Sequence, residues 1–330
     1  IISTSINPER NFMKPQLADN YDLKNLEAFL KSGQTIFQQP KIDGVRGLHI
    51  TGQFTGRSLK VFKNRALTEY WSADHFAWLD GEMVISGGWT QPGLCRLTTG
   101  LCNTVKAAQV PELVVFDYLA PEVASLPYWQ RYNAAEEKVA QLRGMLGDKA
   151  IVHLIPCHEV TDIAEVFKYH EQWMDEGYEG SILRNPLAQL KEGRPGSKTM
   201  ELMRIKDFID FEFVATELVE AMENMNEAKI NELGHTERST HQENMRPKGM
   251  VGAIKGRFLQ DVVHNGKRLF EKDQPLLCGP GQMTHAERAH YWRNQHELVG
   301  QISKAKLFPH GTLNKPRMPI WLSLRAAEDM

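Results

Sequence analysis

The sequence has little cysteine, no excess of charge of either sign and no long apolar run, and each shortage removes a class of function. Only four cysteines occur, Cys95, Cys102, Cys157 and Cys278. None forms a CxxC pair, so neither a zinc ribbon nor a redox dithiol is signalled, and such sparse use fits a reducing compartment. No uninterrupted apolar stretch approaches the ~18–20 residues of a membrane span. No basic-then-apolar leader opens the chain at Ile1-Ile2-Ser3, which predicts an intracellular protein of cytosol or nucleus, not secreted and with no membrane partner. Lys and Arg total 39 against 41 Asp and Glu, a formal net charge of −2; taken alone, that balance argues against a polyanionic partner. Repeats of 20–50 residues are absent as well, which excludes a solenoid or propeller.

What is present is enough chain for two domains at about 150 residues each, with 42% hydrophobic and 24% charged residues over 330 positions. Short apolar or alternating runs bounded by Gly, Pro and Asn predict strands at Gly47 to Ile50, Leu79 to Ile85, Leu113 to Leu119, Ile151 to Ile155 and Ser181 to Leu183. Helical spacing links Leu23, Leu26, Phe29 and Leu30, then Val139, Leu142 and Leu146, then Ile163, Val166, Phe167 and His170. The predicted class is α+β. After Phe208 the character changes to an acidic, Met- and Asn-bearing stretch from Glu217 to Glu243, which divides the chain into residues 1–208 and 209–330. The second part is predicted to hold strands at Val251 to Ile254, Arg257 to Leu259 and Ile320 to Leu324, and a helix around His285 to Trp292. That inventory suits a small β-barrel.

Several constellations carry chemistry. Lys41-Ile42-Asp43-Gly44-Val45-Arg46 sets a lysine, a carboxylate and an arginine around a glycine that admits close backbone approach. A nucleophilic lysine needs cationic neighbours to shed its proton from a reference pKa of ~10.4; by itself the hexapeptide is equally a solvated turn. In Leu79 to Ile85 the strand period puts Asp80 and Glu82 on one face and Met83 and Ile85 on the other, which read singly is an edge strand. Val114, Phe116 and Tyr118 align in the same way, where an aromatic either stacks a nucleobase or packs a core. Glu179-Gly180 supplies a carboxylate at a strand start, and Arg204 and Lys206 set two cations on one strand face. Such a pair requires an anion to meet it.

The order KxDGxR, DGE, FD, EG and (K/R)xK resembles the covalent nucleotidyltransferase superfamily and, within it, the small viral type of ATP-dependent DNA ligase. Four further segments match that family: Met13-Lys14-Pro15-Gln16-Leu17-Ala18, Thr55-Gly56-Arg57-Ser58-Leu59-Lys60, Glu192-Gly193-Arg194-Pro195-Gly196-Ser197-Lys198 and Arg317-Met318-Pro319-Ile320-Trp321-Leu322-Ser323-Leu324-Arg325. Gly234 to His241, followed by Arg246 and Lys248, resembles the insert by which small viral ligases latch around duplex DNA, here about 217–249. Composition alone predicts a disordered polar loop there, and disorder is expected in the free protein. The resemblance implies a nucleotidyltransferase (adenylation) domain of antiparallel sheets and helices in residues 1–208, followed by a C-terminal OB-fold β-barrel in residues 209–330.

It also implies roles. Lys41 attacks the α-phosphate of ATP to give lysyl-AMP, with Mg²⁺, or Mn²⁺ in its place. Arg204 and Lys206 neutralise that phosphate and depress the Lys41 pKa, with arginine at 204 where the family usually has lysine. Glu82 binds the ribose, Phe116 stacks on adenine, and Glu179 holds the metal, with Glu82 a second candidate ligand. Asp43 orients the ribose or the 3′ end of a nick, and Gln39, or equally Gln38, reads the adenine edge. Arg46, Arg57 and Arg194 grip the AMP or nick phosphate. Arg317, Arg325 and Asp329 serve lysine adenylation from the second domain, although the usual Arg-x-Asp-Lys ending is replaced by Arg325-Ala326-Ala327-Glu328-Asp329. The implied DNA contacts are Arg46, Arg57, Ser58, Lys60, Arg194, Arg238, Thr240, His241, Arg246 and Lys248, and the implied partner is nicked duplex DNA, bound by a monomer that needs no protein partner.

An RNA ligase or a GTP-dependent mRNA-capping guanylyltransferase shares the first-domain motifs, and a non-catalytic OB-fold protein that binds nucleic acid is a remoter alternative. NAD⁺-dependent ligases, with their four-cysteine zinc site, match less well. Charge settles into two local excesses: six cations against Asp43 alone between Lys41 and Arg65, and five against Glu243 alone between Arg238 and Arg257. These predict a focused basic track whose hold on DNA weakens with salt.

Overall fold

The computed structural model describes residues 14–50, 52–312 and 314–325, in two units that meet in sequence at Lys206 and Asp207. The first unit is built on two five-stranded sheets. One runs in the order β1 (Asp19–Asn20), β10 (Leu202–Ile205), β9 (Gly180–Arg184), β2 (Ile36–Lys41), β8 (His158–Val160), parallel only where β1 joins β10. The other runs β4 (Thr55–Gly56), β3 (Val45–Leu48), β5 (Leu79–Val84), β6 (Glu112–Tyr118), β7 (Val152–Leu154), parallel only between β6 and β7. Because β2 and β3 belong to different sheets, Ile42-Asp43-Gly44 is the chain's crossing from one to the other.

Helices cover these sheets: α1 (Leu23–Lys31), α2 (Arg65–Trp71), α3 (Leu94–Asn103), α4 (Tyr128–Leu146) and α5 (Ile163–Asp175). Asp22 and Asp162 cap α1 and α5 by accepting from the amides of Asn25 and Glu165, bonds worth about 1 kcal/mol each. The α4 stripe Tyr128, Arg131, Ala135, Val139, Leu142 is buried at spacings of three and four. Two helices escape the periodicity signal. α2 has seven residues, and α3 carries Thr98, Thr99 and Gly100, poor helix formers, in its middle. Apolar side chains pack in three groups, around Leu26, Ile36, Val166 and Leu183, around Trp71, Leu79, Met83 and Val139, and around Ile42, Val84 and Val114. Each fully buried side chain contributes about 1.5–3 kcal/mol through loss of water contact.

Two sequence expectations fail in this unit. β5 is not an edge strand, since β3 and β6 pair with it on either side. Nor do Val114, Phe116 and Tyr118 share a face. The β5–β6 register slips between Asp80 opposite Asp117 and Gly81 opposite Val115, which leaves Phe116 as the extra residue of a bulge. Val114 and Phe116 therefore pack with Ile42 and Val84. Tyr118 falls in with Leu113 and Val115 instead.

The second unit is built on a five-stranded antiparallel sheet in the order β17 (Pro275–Cys278), β14 (Met245–Phe258), β11 (Ile209–Asn224), β18 (Ile302–Phe308), β19 (Arg317–Leu324). The strand order is open where a barrel was expected. Its two edges meet at a single bridge just past β17, where Gly279 N donates to Pro319 O at 2.9 Å and Trp321 N donates to Gly279 O at 3.0 Å. The core gathers Phe213, Ile254, Phe258, Phe270, Leu307 and Trp321. The strands expected at 251–254 and 257–259 are one strand, and α6 (His285–Arg293) opens with a capping box between Thr284 and Glu287. Two short hairpins complete it, β12 (Ala228–Ile230) with β13 (Thr236–Arg238) and β15 (Val262–His264) with β16 (Lys267–Phe270).

Residues 217–249 correct the polar-loop expectation from composition. β11 and β14 stay paired out to Asn224 opposite Met245, and β12 and β13 form the tip. The asparagines hold it closed: the Asn226 amide donates to Ser239 O at 2.9 Å and His241 O at 2.8 Å, and that of Asn224 to Ser239 O at 2.7 Å. No helix among the described residues is long and apolar enough to cross a membrane.

Candidate active site

The site grows from the crossing between the sheets. Lys41, the last residue of β2, lies opposite Gly180 at the start of β9, and Glu179 N donates to Lys41 O at 2.8 Å. The Glu179 carboxylate thus sits beside Lys41 and faces β10, and it is 2% exposed. One oxygen accepts from Lys41 Nζ and the other from Lys206 Nζ. Burial drives the Glu179 pKa up, but the charges and hydrogen bonds of Lys41 and Lys206 outweigh it and hold the group below the usual range. Burial and the Lys41 charge lower that of Lys206.

Two glycines of the motifs are required by close approach. A Cβ on Gly180, at φ +150°, would lie 2.2 Å from Ile205 O, and one on Gly44 would lie 2.3 Å from Met83 O and 2.8 Å from Glu82 Cγ. These contacts bring β10 against Glu179 and the crossing against β5.

Glu82 is a strongly perturbed acid. Burial, aided by the neighbouring charges of Glu179 and Asp43 and opposed by Lys41 and Arg46, pushes its pKa to about 7. Asp43 is itself 6% exposed. Arg46 donates through Nε at 2.9 Å and Nη2 at 2.5 Å to the two oxygens of Asp80. This bidentate pair keeps Arg46 charged despite burial.

Beside Phe116 the structure separates the two glutamines. Gln38 turns toward α5, donating to Val166 O at 2.9 Å and Ser181 Oγ at 3.2 Å. Gln39 donates to the Tyr128 hydroxyl at 2.8 Å, which donates in turn to Phe116 O at 2.8 Å. The bulged Phe116 ring has the Arg46 guanidinium 5.3 Å and the Arg184 guanidinium 5.2 Å from its centroid. Sequence reasoning missed what fixes this corner. Asp117 accepts from Arg131 at 2.9 and 3.1 Å and from Arg184 at 3.3 Å, and all three are buried. An FD dipeptide announces Asp117, but its two arginine partners lie 14 and 67 residues away.

The remaining expected residues fall in three places. Arg57, Ser58 and Lys60 are exposed on the turn after β4, closed by Leu59 N donating to Gly56 O at 2.8 Å. Arg194 is exposed on the loop before β10, bonded to Ala18 O and 3.8 Å from Asp19, while Arg204 Nε donates to Asn20 Oδ1 at 2.9 Å. In the second unit Arg238, Thr240, His241, Arg246 and Lys248 are exposed on the long hairpin. Arg317 opens β19 and donates to His310 O at 3.2 Å; Arg325 follows β19 and donates to Glu212 at 2.8 Å. Asp329 and Met13 lie outside the described residues.

The wider comparisons agree on architecture. The structure is similar to Chlorella virus DNA ligase-adenylate over 96% of this chain and 100% of that one, at TM-score 0.51 and 19% identity. It is also similar to a Lig E DNA ligase over 94% and 98%, at TM-score 0.63 and 18% identity. The fold is that of these DNA ligases. In sequence, a DNA ligase of African swine fever virus is 23% identical over 145 residues, 44% of this chain but only 32% of that longer relative. No protein-family model matches. Within the ligase fold, Lys41, Glu179, Lys206, Glu82 and Arg46 all belong to the unit that ends at Lys206.

Proposed function

We propose that this chain is an ATP-dependent DNA ligase that seals 5′-phosphate/3′-hydroxyl nicks in duplex DNA. The observation that carries the reading is the buried carboxylate of Glu179 held between the ammonium groups of Lys41 and Lys206. Two lysines on one acid at the seam of two sheets give a nucleophile, a cation for its target phosphate and the group that keeps both in place.

In the first step Lys41 gives up its ammonium proton, to solvent or to the Glu179 carboxylate it contacts, and its Nζ lone pair attacks the α-phosphorus of ATP, forming a P–N bond as the P–O bond to pyrophosphate breaks. Arg204 and Lys206 offset the charge that grows on the α-phosphate oxygens. Phe116 and Gln39 take the adenine, and Glu82 the ribose. In the second step a 5′-phosphate oxygen displaces Lys41, giving a DNA-adenylate gripped by Arg46, Arg57 and Arg194. In the third the 3′-hydroxyl attacks that phosphate and AMP leaves. Asp43, beside Lys41, orients the ribose or the 3′ end.

The donor set suits a hard divalent cation. Carboxylate oxygens are what such a cation takes, although no cluster of three or more His, Cys, Asp or Glu occurs among the described residues, so phosphate and water oxygens would complete the set. Glu179 and Glu82 would hold it, and when bound it supplies charge neutralisation of the phosphates.

The second unit reads as an OB fold with an open sheet whose edges touch at the Gly279–Ile320 bridge, bearing Arg317 and Arg325 for the adenylation step. The long hairpin of β11 and β14, with Arg238, Thr240, His241, Arg246 and Lys248 exposed along it, reads as the latch on the duplex. Incubation with α-labelled ATP or GTP, followed by a chase with nicked DNA or RNA duplexes, tests the whole reading. ATP label on Lys41, lost in Lys41→Ala and released by nicked DNA, is expected. Transfer from GTP alone points to a capping enzyme, and release by RNA alone to an RNA ligase.

A further inference from the structure

The short segment ahead of α1 contacts three of the guanidinium groups assigned above to phosphate. Gln16 bridges to Gly193, Leu17 N donates to Gly193 O at 2.7 Å, and Gly193 N donates to Pro15 O at 3.2 Å. Asp19 and Asn20 then run as β1 beside Met203 and Arg204. From this strap Gln16 O accepts from Arg46 Nη1 at 2.5 Å, Ala18 O accepts from Arg194 Nη1, and Asn20 Oδ1 accepts from Arg204 Nε at 2.9 Å. The strap is held by backbone bonds to Gly193 at one end and to β10 at the other, so it is part of the frame. A lid that swings out would lack that lattice.

Among these contacts the Asn20–Arg204 pair is made by two side chains, and it occurs where the family resemblance expects lysine. An ammonium is a compact donor with no preferred plane; a guanidinium binds phosphate well only when its fork is oriented. With Nε committed to Asn20, the donors that remain for an anion are the two Nη groups. Burial and the like charges of Arg194 and Arg57 lower the Arg204 pKa, so these cations crowd one another as they do where an anion is to be bound.

We propose that Asn20 is a positioning residue for the reaction, orienting the Arg204 fork on the α-phosphate so that arginine does the work of the family's lysine. The proposal rests on the ligase reading above. It implies that Asn20 matters only while residue 204 is arginine.

A double-mutant cycle in the full chain tests it. Single-turnover lysyl-AMP formation from α-labelled ATP is measured for the native protein, Asn20→Ala, Arg204→Lys and the double variant, together with half-saturating ATP and thermal midpoint. Asn20→Ala is expected to slow the maximal rate about tenfold with half-saturating ATP changed less than about twofold, because the adenine and ribose contacts lie elsewhere. In the Arg204→Lys background the same substitution is expected to change the rate less than about twofold. Any loss of stability acts in both backgrounds and cancels in the cycle. Equal slowing in both backgrounds, or none in either, overturns the proposal. A faster rate in Asn20→Ala also overturns it and makes the strap a competitor for phosphate. If the native protein forms no lysyl-AMP, the ligase reading fails first and the proposal falls with it.

Discussion

Replacing Asp117 by asparagine separates the part of the site that is scaffold from the part that is chemistry. Asp117 is 2% exposed and is the carboxylate shared by Arg131, at 2.9 and 3.1 Å, and Arg184, at 3.3 Å. Arg131 is 1% and Arg184 5% exposed. The asparagine side chain keeps the shape but leaves two buried guanidinium charges without a counter-ion. Breaking a buried pair in this way costs about 3–5 kcal/mol. At about 2–4 °C per kcal/mol for a unit near 200 residues, the thermal midpoint of the first unit is expected to fall by about 6–20 °C.

The control is Glu217→Gln in the second unit. That substitution breaks an ion pair of similar geometry, Lys255 to Glu217 at 2.8 Å, whose partners are 50% and 59% exposed. Exposed pairs are worth about 0–1 kcal/mol. Urea melts of both variants, followed by circular dichroism, give the two numbers. If Asp117→Asn loses less than about 1 kcal/mol, the three groups are not a buried ionic cluster, and the account of how Phe116 is held at its bulge fails with it.

Three other outcomes follow from the geometry. The Glu82 pKa of about 7 lies above the usual 4.5, so the folded state holds that proton more tightly and this group costs stability as pH rises from about 4.5 through 7. Glu82→Gln is expected to remove that slope, raising stability above pH 7 by about 3 kcal/mol, and to abolish the rise in lysyl-AMP formation near pH 7 if ionised Glu82 binds the ribose; an unchanged pH profile refutes the assignment. Gly180→Ala, which sets a Cβ 2.2 Å from Ile205 O, is expected to lose about 2–3 kcal/mol of stability by overpacking, with adenylation reduced more than stability accounts for because β10 carries Arg204 and leads directly into Lys206. Asn226→Ala removes two bonds that close the long hairpin and is expected to raise amide exchange across residues 228–238 while leaving the first unit's melting unchanged.

Much of this molecule was legible because its signals are local. Helices α1, α4 and α5 announce themselves by apolar spacing, and strands β5, β6 and β9 by short apolar runs between turn residues. The order of Lys41, Glu82, Phe116, Glu179 and Lys206 marks chemistry because few folds need those side chains in that sequence. Other elements were obscured by local irregularity. β11 slips register between Ala215 and Glu217, between Val219 and Glu220 and between Glu220 and Met222, which scrambles the period of two that a strand shows in sequence. The half of this sixteen-residue strand from Glu217 onward therefore reads only as part of an acidic stretch. The bulge at Phe116 hides in the same way, since an extra residue is visible only against the strand it fails to match.

The sequence by itself determined the mixed α and β class, the candidate residues around Lys41, and the ligase resemblance that the comparisons support as fold. Only the tertiary structure decided which charges meet: Glu179 with both lysines, Asp117 with Arg131 and Arg184, Gln39 rather than Gln38 with the Phe116 corner, and Asn20 with Arg204 across 184 positions. Spacing along the chain fixes which face of a helix or strand a residue occupies. Ion pairs and hydrogen bonds between distant segments depend on which strands lie side by side, and that is set by burial of the whole core.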